Sequence, residues 1–154
     1  MSLEARIEAL GLKIPNDATP GANYAPAVLH NGLAHVSGQL PREGDHVFVR
    51  GRVGSDVTME AAQEGTRIAF LRSLAALRAT LGTLDRVTQI VKLTVLVQSA
   101  PGFFQQSLVA NGASDLIYQI FGPEKGHHAR TSIGVDQLPR NGAVEVEIVA
   151  AVAP

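Results

Sequence analysis

The dipeptide Asn31-Gly32, set between the apolar runs AVLH and LAHVSG, limits the fold of this chain more than any other feature. A two-residue hairpin turn needs positive φ at both central positions, which Asn followed by Gly supplies at low steric cost. The two runs are therefore expected to pair as antiparallel strands, and a third strand is expected at residues 46–54 (HVFVRGRVG). The period then changes. Over residues 58–81, Phe70, Leu74, Leu77 and Leu81 recur at helical spacing, with Asp56 or Thr58 as a cap and Gly82 after the end.

Residues 86–98 (RVTQIVKLTVLVQ) return to period two, with Val87, Val91, Leu93, Val95 and Val97 assigned to one face and Thr88, Ile90, Thr94 and Leu96 to the other. A second long helix is expected over roughly 102–121, burying Val109, Ala113, Leu116, Ile117 and Ile120. A strand in the 130s, a QLPRNG turn and a last strand over 143–153 (AVEVEIVAAVA) complete the chain. At the other end, residues 2–11 read as a short helix capped by Ser2 and ended by Gly11, and residues 12–25 as a loop. This order predicts an α+β fold, a mainly antiparallel sheet with two main helices on one face. The uncovered face would then be mixed rather than charged, with Val149 and Ala151 beyond Glu145 and Glu147, and association into a symmetric oligomer would bury it.

Composition sets bounds. The 154 residues fit one domain, and a net charge of -1 argues against affinity built on neutralising phosphates. Aromatic residues are 5% and Trp is absent, which argues against a stacking platform for single-stranded nucleic acid. With no cysteine, disulfides, thiolate nucleophiles and Cys-type zinc sites are excluded. The first residues lack a signal-peptide layout, and no run approaches the ~18 apolar residues of a membrane span. A cytoplasmic protein is expected.

Arg130 is the first candidate for chemistry. It opens ARTSIGV, whose alternation sets Arg130 and Ser132 on the less apolar face. A guanidinium holds a carboxylate through two parallel hydrogen bonds. The last strand places Glu145 and Glu147 on one face, and a hairpin through QLPRNG would lay it antiparallel beside the 130s strand. The spacing leaves two readings open: a structural Arg–Glu pair across strands, or an arginine reserved for a ligand. Ser37 and Gly38 end an extended run, and glycine there permits close approach of a ligand. Tyr24 stands where a loop enters the first strand. The five histidines show no chelating spacing, and neither a Walker loop nor GxGxxG is present, so no metal and no nucleotide cofactor is expected.

Taken together, NYAPAV, HVSGQLP, VKLTVLVQ and ARTSIGVDQLPRNGAVEVEIVA resemble the Rid (reactive intermediate deaminase) family, also called YjgF or L-PSP endoribonuclease, over roughly residues 18 to 153. The resemblance implies a chorismate-mutase-like fold, with residues 1–17 as an N-terminal helix and lead-in and 18–154 as a single α+β domain. It implies a homotrimer with sites between subunits, and hydrolysis of enamine or imine acids to 2-keto acids and ammonia without a cofactor. It makes Arg130 the carboxylate anchor and Glu145 the residue that positions water. Tyr24, Ser37, Gly38, Asn111 and Ser132 become substrate contacts. Ser132 stands where many members have cysteine, and NYAP replaces the commoner PYS-type segment, as in a divergent, longer subgroup. A regulatory protein that binds small carboxylates is the alternative on the same fold, and the endoribonuclease of the older name fits the net charge less well.

Overall fold

The computed structural model describes all 154 residues. Helix α1 (Leu3–Ala9) begins where the Ser2 side chain accepts a hydrogen bond from the Ala5 amide, and Gly11 leaves it at φ 72. Its Ile7 is buried in the same core as the rest of the chain. Strands β1 (Ala27–His30) and β2 (Leu33–Gln39) form the expected hairpin, with Asn31 at φ 50 and Gly32 at φ 76. Helix α2 (Met59–Leu81) is capped by Thr58 and closed by Gly82 in the left-handed region, and the Phe70, Leu74, Leu77 and Leu81 stripe is buried. Strand β5 (Val87–Gln98) follows, then helix α3 (Gln106–Lys125), which buries all five predicted residues and bends at Gly122 before Pro123.

The expected strand at 46–54 is reduced to a fragment. Only β3 (Arg42–Glu43) and β4 (His46–Val47) pair, because Gly51 (φ 109) and Gly54 (φ 97) turn the following chain away from extended geometry.

The main sheet runs β1-β2-β7-β5-β6, where β6 is Ala129–Val135 and β7 is Val144–Val152. Here the expected hairpin through QLPRNG is overturned. The last strand does not pair with the 130s strand; β7 inserts between β2 and β5, while β6 runs parallel to β5 at the sheet edge. The 136–143 connection therefore crosses the end of β5. A turn of that length spans one intervening strand, and β7 gains two partners where a hairpin would give it one.

Helices α2 and α3 cover one sheet face, α2 against β2 and β7, α3 against β5 and β6. A register shift in β5 between Ile90 and Lys92 rotates its first half. Ile90 is thereby buried and Val91 exposed, the reverse of the alternation read from the sequence. The opposite sheet face carries no helix. Val28, Val91 and Ile133 are exposed large apolar residues of the sheet. No helix is long and apolar enough to cross a membrane.

Candidate functional site

The predicted residues gather into two groups, on opposite faces of the sheet. Arg130 faces the helices: its neighbours across the sheet are Leu93 and then Ile148, both core residues. Glu145 lies opposite Leu96, which pairs on its other side with the exposed Ile133. The hairpin that would have allowed Glu145 or Glu147 to share the face of Arg130 is absent. With β5 between β6 and β7, strand alternation sends the two charges to different sides.

Around Arg130, α3 supplies a polar stripe. Ser107, Asn111 and Ser114 recur at i, i+4 and i+7, so one helix face presents all three. Arg130 Nη1 donates to Asn111 Oδ1 (2.8 Å) and Ser114 Oγ (3.1 Å), while Nη2 donates to the Ser107 carbonyl (3.2 Å) and Ser107 Oγ (2.8 Å). All four terminal N–H groups thus find neutral acceptors. No carboxylate pairs with Arg130, so the structural Arg–Glu reading does not hold. Behind Ser114 stands His128. Its Nδ1 faces the Gly126 carbonyl (2.6 Å), which only accepts, so Nδ1 carries the proton. In the neutral ring Nε2 then accepts from the Ser114 hydroxyl (3.0 Å). Ser132, half-buried, follows Arg130 on the same face and makes no hydrogen bond through its side chain. Ser107, Ser114 and His128 were missed from the sequence, although the S-x3-N-x2-S spacing on a helix was a usable signal.

The second group surrounds Glu145. Between Val36 and Gln39 the register of β2 against β7 shifts, and Gly38 lies in that shift. A Cβ on Gly38 would overlap the Glu145 carboxylate, so glycine is required for that side chain to lie across β2. Burial holds the Glu145 carboxyl above its usual range, with repulsion from Glu147 adding to it. Tyr24, Gly38 and Glu145 line one cleft of about 250 Å³ together with Arg42 and Arg140. Ser37 lies close by and holds the chain in place: its hydroxyl donates to the Ala25 carbonyl (2.7 Å) and ties down the segment bearing Tyr24. Arg42 and Arg140 carried no special signal in the sequence, because exposed arginines in turns are common.

The arrangement offers a cation held ready by neutral groups and a carboxyl whose proton is retained more strongly than usual. The first can bind an anion and the second can move a proton, although on one chain they stand on opposite faces of the sheet.

A family model described as "YjgF/chorismate mutase-like, putative endoribonuclease" matches residues 4–152. Protein TCP17 of Trypanosoma cruzi is 46% identical over 143 residues, covering 93% of this chain and 89% of that protein. The crystal structure of Atu1372 from Agrobacterium tumefaciens, a protein of unknown function, superposes with a TM-score of 0.90 at 38% identity, covering 98% of this chain and 92% of that one. YyfA of Yersinia pestis, of the conserved Rid protein family, is 25% identical with a TM-score of 0.59, covering 89% and 94%.

Proposed function

Since the chain belongs to the YjgF/Rid family and has its chorismate-mutase-like fold, we propose that it hydrolyses reactive enamine or imine acids to 2-keto acids and ammonia. The observation that carries this reading is Arg130, whose charge meets no carboxylate within the chain. Nη1 is anchored inside by Asn111 and Ser114, whereas Nε makes no bond and the Nη2 contacts to Ser107 are exposed. A substrate carboxylate docks on the Nε–Nη2 edge in exchange for Ser107.

Water then adds through its oxygen to the imine carbon. Glu145, as carboxylate, accepts a water proton and returns it to the imine nitrogen. Glu145 then carries the proton of the new hydroxyl to the same nitrogen, and the C–N bond breaks as C=O forms, releasing ammonia. Fixing water and substrate supplies most of the acceleration, and a positioned carboxylate adds about 10²–10⁴-fold. Because Arg130 and Glu145 stand on opposite faces of one sheet, adjacent subunits of a homotrimer supply them to each site. Tyr24 and Gly38 enter with Glu145, and Asn111 and Ser132 with Arg130.

The test is release of pyruvate from 2-iminopropionate, generated in situ by an amino-acid oxidase in the presence of catalase. Wild type is expected to outpace buffer, and a folded Arg130→Ala to lose about 10²-fold or more of that acceleration. If wild type matches buffer across several imino acids, the reading fails and Arg130 is to be tested as a carboxylate-binding site without turnover.

A further inference from the structure

The Glu145 cleft contains more positive charge than a single carboxylate requires. Arg140 and Arg42 both line it, in addition to the Arg130 contributed by the neighbouring subunit in the function proposed above. Arg140 is also held in an unusual way. Its φ is 57 and that of Asn141 is 59, two successive non-glycine residues in the left-handed region. Such residues are strained and persist where the surroundings enforce them. The enforcement here is visible. Gln98, 3% exposed, donates from Nε2 to Asn141 Oδ1 (2.7 Å) and accepts from the Leu138 amide at Oε1 (2.8 Å). The Asn141 carbonyl also accepts from the Gly51 amide (2.9 Å). The turn is clamped from inside, and the residue it forces into strain is an arginine that lines the cleft.

The guanidinium is not used up by its neighbours. Arg140 Nη1 meets Asp45 Oδ1 at 2.7 Å, but the Asp45 side chain is 96% exposed, and a pair of that kind holds weakly against solvent. On the other side, a methyl group placed on Gly21 would lie 3.9 Å from Arg140 Nη2 and 4.0 Å from the Tyr24 hydroxyl, so these two polar groups flank the same glycine. Arg42 is fixed independently: Nη2 donates to the Thr19 carbonyl (3.0 Å), and the Arg42 carbonyl accepts from the buried Arg72 (3.1 Å).

We propose that the cleft selects imino or enamine acids bearing a second, distal negative charge, dicarboxylic substrates, with Arg140 as the specificity-determining residue and Arg42 beside it. The inference rests on the deaminase reading, in which Arg130 of the neighbouring subunit takes the carboxylate next to the reacting carbon. The distal carboxylate then reaches the Nη2 side of Arg140. A substrate with an apolar side chain offers that edge no acceptor and gains nothing from Arg140.

The experiment compares 2-iminoglutarate with 2-iminopropionate, each generated in situ by an oxidase, for wild type, Arg140→Gln and Arg140→Gly. Wild type is expected to favour 2-iminoglutarate in kcat/KM by about tenfold or more, and both variants to lose the preference mainly through KM. Arg140→Gly also accepts φ 57 without strain, so it is expected to unfold at no lower temperature than wild type, which separates lost selectivity from lost folding. Equal use of the two imino acids by wild type, or a preference unchanged in both variants, overturns the inference and leaves the deaminase reading standing. If neither compound is hydrolysed, the deaminase reading fails, and calorimetric titration with glutarate and propionate decides the subsite. Tighter glutarate binding that Arg140→Gln abolishes supports it, and equal binding overturns it.

Discussion

In the proposed reaction Glu145 is a side chain that works against folding and for chemistry. Its carboxyl is held above the ordinary value of 4.5, first by burial and then by Glu147. The folded chain thus binds this proton more tightly than the unfolded chain does. Ionising Glu145 therefore lowers stability, a loss absent below pH 4.5 and complete once the pH exceeds the raised folded-state value. Glu145→Gln is expected to unfold at a higher temperature than wild type near neutral pH, with the gap closing as the pH falls to 4.5 and below. Imine hydrolysis should move the other way: the variant loses turnover, and wild type loses it as acid protonates Glu145. Thermal melts and rates across the same pH series check both. A variant no more stable than wild type at neutral pH would mean that the folded protein does not resist this charge.

At the scale of elements, α2 and α3 meet where both have given up bulk. A Cβ on Gly112 would overlap the Gln63 carbonyl and the Thr66 hydroxyl of α2, and Gln63 Nε2 donates to the Leu108 carbonyl (2.8 Å) across the same contact. Backbone cannot yield as a flexible side chain can, so Gly112→Ala is expected to lose about 1–3 kcal/mol, seen as a lower urea midpoint with little change in slope. Elements with a local cause were legible in the sequence: Asn31-Gly32 for the hairpin, the apolar stripe and caps for α2, the long β5. Features set by distant partners were not. Val91 reads as a core residue by alternation alone, and only the register shift in β5 turns it out. QLPRNG reads as a hairpin turn, and only the space between β2 and β5 draws β7 past its neighbour. The candidate site followed the same division. Arg130, Glu145, Tyr24 and Gly38 were marked by their motifs, whereas Arg140 depends on a clamp from Gln98, forty residues earlier than Leu138 in the chain.

For the whole molecule, the placement of Arg130 under the helices and Glu145 on the uncovered face decides what can work alone. In the proposed trimer each site draws on two subunits. Sedimentation velocity is expected to give three times the mass of 16.2 kDa. Arg130→Ala and Glu145→Gln are each expected to be inactive, yet a mixture unfolded and reassembled together should regain activity. With random assembly into a closed ring, about a quarter of the sites combine an intact Arg130 with an intact Glu145. A mixture as inert as its parents, once reassembled to the same mass, would remove one of the two residues from the reaction.

The same division of the sheet gives dilution a chemical meaning. If subunits share the site as proposed, a lone chain keeps its core, its strands and every hydrogen bond described here, and still lacks half of each site. Specific activity then depends on how much of the chain is present, falling away below the concentration at which subunits part. For the proposed trimer, lowering its concentration alone would then silence it, with no inhibitor, no modification and no unfolding.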